Sequence, residues 1–63
     1  MDQNKIEKLQ NVKDVAGTLD IGVSTVWLMV KEYRFPAPIK ISQGATRWKQ
    51  SDVQAFINGT WNG

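Results

Sequence analysis

The sequence predicts a mainly α domain with a small β-hairpin, and three observations carry that expectation. Stretches 12–19 and 23–34 place apolar residues at helical spacing, and Asp20-Ile21-Gly22 breaks the pattern between them. Two helices joined by so short a Gly-containing turn make a helix-turn-helix. Phe35-Pro36-Ala37-Pro38 cannot extend the second helix, because each proline lacks an N–H and drives the residue before it towards extended geometry. Beyond it, Ile39-Lys40-Ile41 alternates apolar and basic residues, Gln43-Gly44-Ala45 supplies a turn, and Thr46-Arg47-Trp48 returns as a second strand. The whole reads as a winged helix-turn-helix, with helices at 12–19, 23–34 and 52–58 and the wing at 39–49.

Residues 1–8 are polar and expected to be disordered, leaving 9–63 as one domain. Leu9-Gln10 leads in as a short extended segment. Asn11 is the expected N-cap of the first helix, with Asp14 three residues on and close to the positive helix end. Val12, Val15, Ala16 and Leu19 keep an i, i+3, i+4, i+7 rhythm. Gly17 costs helix propensity, and its small size suits a close helix crossing. Ile21 is expected between the helices, and either Gly22 or Ser24 caps the second. In that second helix Val26, Trp27, Leu28, Met29 and Val30 are consecutive, so apolar residues cover more than one face. Val26, Trp27 and Val30, with Tyr33 or Phe35, recur at roughly helical spacing as an inward face. If Val26, Met29 and Val30 line the core, Leu28 points outward beside Thr25 and Lys31. Trp48 is expected in the core. Ser51-Asp52-Val53-Gln54 has the form of a capping box for the last helix, Val53, Phe56 and Ile57 form its apolar stripe, and Asn58-Gly59 stops it. Trp61 is expected to fold back onto the core.

A chain of 63 residues buries a thin core, and without cysteine or histidine it has neither disulfides nor a zinc staple to support it. Six aromatic residues, three of them Trp, must supply much of the packing. No apolar run approaches the ~20 residues of a membrane span, and MDQNKIEKLQ is too polar for a signal peptide. A soluble cytoplasmic protein with no membrane partner is therefore expected. Catalysis is not: there is no His or Cys, no Gly-rich phosphate loop, and the six acids are dispersed without metal-ligand spacing. No cofactor is implied.

Net charge is only +2, but residues 31–63 hold five of the eight basic residues and two of the six acids. Lys31, Arg34, Lys40, Arg47 and Lys49 fall on the helix exit and the hairpin, which points to double-stranded DNA as the partner. In a helix-turn-helix the second helix enters the major groove with its first turns nearest the bases. That brings forward Ser24 and Thr25 (hydroxyls for bases, phosphates or the helix cap), Leu28 for a thymine methyl, and Lys31 for guanine or phosphate. The wing would lie over the adjacent minor groove with Lys40, Gln43, Thr46 and Arg47 at or near its tip, where a narrow groove concentrates negative potential.

With these residues placed, the chain resembles the AlpA-type phage and prophage regulators and the related small excisionases, whose domain is a MerR-like winged helix. The resemblance spans about residues 9–58. It rests on Asp14-Val15-Ala16, on Ser24-Thr25-Val26-Trp27, on Lys31 through Ile41 with its Phe-Pro-x-Pro exit, and on Arg47-Trp48-Lys49-Gln50-Ser51-Asp52-Val53. This chain departs from the family pattern at Asp20, often Gly there, and at Val23 and Leu28, both often Arg. Losing about two phosphate contacts would flatten the salt dependence of binding by nearly two units. Low affinity of a single copy and cooperative self-association along DNA are therefore expected. The resemblance implies two outputs: an excisionase, or recombination directionality factor, that bends attachment-site DNA for a tyrosine integrase, or an AlpA-like transcriptional regulator. The short chain favours the architectural role. A reading of another class is a protein-binding adaptor for integrase or a response regulator, using Leu28 and the aromatic residues.

Overall fold

A computed structural model describes residues 8–62. The disorder expected of residues 1–8 falls outside that range, save for Lys8. The described chain runs β1 (Leu9–Gln10), α1 (Val12–Leu19), α2 (Val23–Lys31), β2 (Ile39–Ser42), β3 (Ala45–Lys49) and α3 (Gln50–Asn58). The extended lead-in becomes a third strand, giving an antiparallel sheet in the order β1-β3-β2. In it Leu9 pairs with Lys49 and Gln10 with Trp48, while on the other side Ile39 pairs with Arg47 and Lys40 with Thr46. The ladder shifts between Lys40 and Ser42, so Ile41 is an extra residue in the outer strand. Gln43 and Gly44 close the hairpin, and Gly44 takes the left-handed conformation (φ 82°) that its turn demands.

α1 has the expected bounds, and the Asn11 side chain accepts the Asp14 N–H at 2.8 Å as its N-cap. All three helices end in the same way. A left-handed residue (Asp20, Tyr33 or Gly59) stops the helix, its N–H reaching back three residues and the next N–H five. The bonds are Ile21 N–H to Ala16 C=O at 3.0 Å, Arg34 to Met29 at 2.8 Å and Thr60 to Ala55 at 2.9 Å. This is the Schellman arrangement, which occupies carbonyls that the last turn would otherwise leave open. It also explains why α2 ends at Lys31 rather than at 34. Tyr33 at φ 59° closes the helix before the prolines act, turning Phe35 inward and leaving Tyr33 84% exposed.

Two further expectations are corrected. α3 starts at Gln50, two residues early, because β3 runs straight into it with Lys49 at the N-cap position. Ser51 and Gln54 thus lie inside the helix rather than forming a capping box, and the Gln50 N–H donates to the Lys8 carbonyl at 3.0 Å. Gly17 serves no close crossing either: it is exposed, and a Cβ built there would meet no heavy atom within 4 Å.

The core lies between the helices and one face of the sheet. Val15, Ala16, Val26, Phe35, Trp48 and Val53 are buried, with Val12, Leu19, Ile21, Met29, Val30 and Phe56 packed around them. An aromatic series crosses it: Trp27 to Trp48 (centroids 5.3 Å apart), Trp48 to Phe35 (6.2 Å), Phe35 to Phe56 (4.8 Å, edge-on) and Phe56 to Trp61 (6.2 Å). Trp48 and Trp61 therefore sit as expected. Trp48 is fully buried, and its indole N–H donates to the Pro36 carbonyl at 2.7 Å. Phenylalanine in its place would leave a cavity and an unpaired buried carbonyl. Trp48→Phe should lower unfolding free energy by about 2–3 kcal/mol, measured by urea denaturation followed by far-UV circular dichroism. Gly17→Ala should move the same measurement the other way, by about 0.5–1 kcal/mol, since the helix gains propensity and nothing clashes.

Candidate nucleic-acid interface

α2 is oriented by Val26, which is fully buried, with Met29 and Val30 packed beside it against the core. At about 100° per residue, Ser24, Leu28 and Lys31 then share the opposite face as one outward stripe. All three are exposed, and Leu28 keeps half its surface (50%) open to water. Thr25 flanks the stripe on one side and Trp27 on the other.

Gly22 occupies the N-cap of α2 with no side-chain cap, its carbonyl receiving the Thr25 and Val26 N–H groups at 3.1 and 3.2 Å. That settles the choice between Gly22 and Ser24. Neither the Ser24 nor the Thr25 hydroxyl has a hydrogen-bond partner among the described residues, so both remain available to a ligand.

The hairpin projects from the same core. Thr46 lies two residues from Trp48 and so points to the sheet face that Trp48 packs against the helices, and Lys40, paired with Thr46, shares that face. Arg47 and its partner Ile39 face the other way. The structure thus brings Lys40 and Thr46 together, puts Arg47 on the opposite side of the ribbon one pair nearer the root, and leaves Gln43 at the exposed tip. Arg47 is half-buried and has no acidic partner among the described residues. One guanidinium N–H donates to the Thr46 carbonyl at 2.9 Å, which steadies the side chain and leaves the rest of the fork unused.

The charges are not equally available. Arg34 pairs with Glu32 at 3.0 Å, an exposed ion pair that offsets part of its charge at the helix exit. Lys31, Lys40 and Lys49 make no ion pair among the described residues. A shallow, open hollow of about 510 Å³ between β1 and α1 is lined by Lys8, Gln10, Lys13, Asp14, Gly17 and Thr18. Among the described residues no group of three or more His, Cys, Asp or Glu could hold a metal. No helix among them is long and apolar enough to cross a membrane.

Sequence reasoning missed one member of this surface. Trp27 was expected to face inward, yet it stays 41% exposed while one side of its ring meets Trp48. It bridges the outward stripe of α2 and the root of the wing, with no hydrogen-bond partner for its indole N–H among the described residues. Its position next to Leu28, a quarter turn from Val26, was the available signal.

Residues 8–60, most of the chain, match a protein family described as prophage CP4-57 regulatory protein (AlpA). No curated protein and no solved structure matches.

Because Ser24 and Thr25 take no part in capping, their loss should spare the fold. Ser24→Ala and Thr25→Ala should each change stability by no more than about 0.5 kcal/mol, against about 1 kcal/mol lost in Asn11→Ala, by thermal or urea denaturation.

Proposed function

The chain belongs to the AlpA family of prophage regulatory proteins, and on that premise we propose that it works by binding double-stranded DNA through α2 and the wing. The observation that carries this reading is the coupling of two projections on one core. An outward helix stripe with unoccupied hydroxyls and a hairpin carrying Lys40 and Arg47 are joined through the Trp27–Trp48 contact. α2 enters the major groove, its first turn bringing Ser24, Thr25 and Leu28 to base edges, while Lys31 in the last turn reaches backbone or guanine. The wing follows the adjacent minor groove. With Gln43 at the tip and the two cations on opposite faces of the ribbon, each cation meets a different phosphate wall.

Binding at the element's own promoter would alter polymerase access, the regulatory output that the family description supports. A second reading, recombination directionality factor, uses the same surface. Helix and wing engaged in neighbouring grooves hold the duplex bent, as assembly of an excisive complex with a tyrosine integrase requires. With Val23 and Leu28 where relatives often carry Arg, a single copy is a weak binder, and copies side by side on DNA supply the missing affinity. Such a protein acts in the cytoplasm of the bacterial host, on the nucleoid, and performs no catalysis.

Footprinting across the element's attachment region and the promoter beside it tests both outputs. Protection over the promoter supports transcriptional control, and protection confined to the attachment arm supports excision. The interface itself is tested by Lys40→Ala combined with Arg47→Ala. If each cation contacts a phosphate, the double variant should bind duplex more weakly and with a log–log salt slope flatter by roughly two units, measured by fluorescence anisotropy at several salt concentrations. An adaptor that meets another protein through Leu28 and the aromatic residues would instead show no salt-sensitive duplex binding to lose.

A further inference from the structure

The outward face of α2 is chemically unusual for a helix that reads DNA, and its composition restricts what it can read. Residues 23–31, Val-Ser-Thr-Val-Trp-Leu-Met-Val-Lys, contain no Arg, Asn, Gln, Asp or Glu. These are the side chains whose paired or directional hydrogen bonds separate one base from another. Of the polar groups that remain, the Ser24 and Thr25 hydroxyls both donate and accept, so they fit several base edges equally, and the Trp27 indole N–H offers a single donor at the flank of the stripe. Lys31 is a point charge in the last turn. At the middle of the stripe stands Leu28, half-exposed, one turn from Ser24 and three residues from Lys31, with the partly exposed Trp27 flanking the stripe.

An apolar side chain has one specific partner in the major groove, the C5-methyl group of thymine. We infer that Leu28 is the specificity-determining residue of α2 and that it selects thymine by burying that methyl group. Discrimination by this helix is therefore apolar. The remaining preference is supplied by the wing, whose Lys40 and Arg47 favour the narrow minor groove of A·T-rich DNA. Both terms favour A·T-rich target sites. This inference rests on the DNA-binding reading of the same surface and adds to it which base is read and by what group.

Exchanging thymine for uracil tests it directly, because it deletes the methyl group while leaving base pairing and both minor-groove acceptors in place. The full chain is first used to select its preferred duplex from a random pool. Every thymine of that duplex is then replaced singly by uracil, and binding is followed by fluorescence anisotropy. Uracil at one or two positions per bound copy should weaken binding about three- to five-fold, the factor expected for one methyl-sized group returned to water. Leu28→Ala, whose folding is checked by circular dichroism, should bind the thymine and uracil duplexes alike. Leu28→Arg should exchange methyl sensitivity for a guanine preference at the same position, with a steeper salt slope. Duplex binding that persists undiminished through every uracil exchange would overturn the inference and leave the DNA-binding reading standing. A uracil penalty that survives in Leu28→Ala would also overturn it, assigning methyl recognition to another residue. Failure to enrich or bind any duplex would overturn both.

Discussion

The Trp48 indole meets three separate parts of the chain at once, and the geometry of the candidate interface follows from those meetings. Its N–H is bound to the Pro36 carbonyl, which fixes the path by which the chain leaves α2 and enters the wing. One side of its ring abuts Trp27 on α2, and Phe35 lies against it elsewhere, linking it onward to Phe56 and Trp61. Because Trp48 also belongs to the central strand, paired with Gln10, the sheet is held by the same side chain. Helix and wing are thus referenced to one rigid group and not merely to neighbouring loops. For a domain with so thin a core, concentrating the positional information in one large side chain is an efficient solution.

The elements that can be read from sequence are those whose signals are local. Asn11 before an i, i+3, i+4 series announces both the start and the face of α1, and the two prolines with the alternation at Ile39-Lys40-Ile41 announce the wing. Signals that depend on a partner distant in sequence are weaker. α2 ends at a left-handed Tyr33, a conformation that costs a bulky residue energy and that propensity would assign to Gly or Asn, so the helix reads three residues too long. The start of α3 is likewise set by its continuation from β3 and by a bond to the Lys8 carbonyl, neither of which a capping pattern at Ser51 reveals.

The candidate interface divides along the same line. Five consecutive apolar residues left the inward face of α2 open in the sequence; burial of Val26, with Met29 and Val30 packed beside it, selects the alternative that turns Ser24, Leu28 and Lys31 outward. Strand register was not available in the sequence. The pairing of Lys40 with Thr46, and of Arg47 with Ile39, depends on where the hairpin turns and on the extra residue at Ile41. A shift of one position would have put both cations elsewhere. Trp27 marks the limit of reading polarity as location: a tryptophan large enough to bury one side and expose the other belongs to core and surface together.

The uninterrupted passage from β3 into α3 makes the wing stiff at its base. Lys49 ends the strand and already holds the cap position of the helix, so an inserted residue there would rotate α3 by about a hundred degrees and carry Val53 out of the core. At the far end, Gln43 and Gly44 are exposed, and a Cβ built at Gly44 would meet no heavy atom within 4 Å. Length can therefore be added to this hairpin only outward. Changes in how far the hairpin projects are open to the fold, while the angle at which it leaves the body is not.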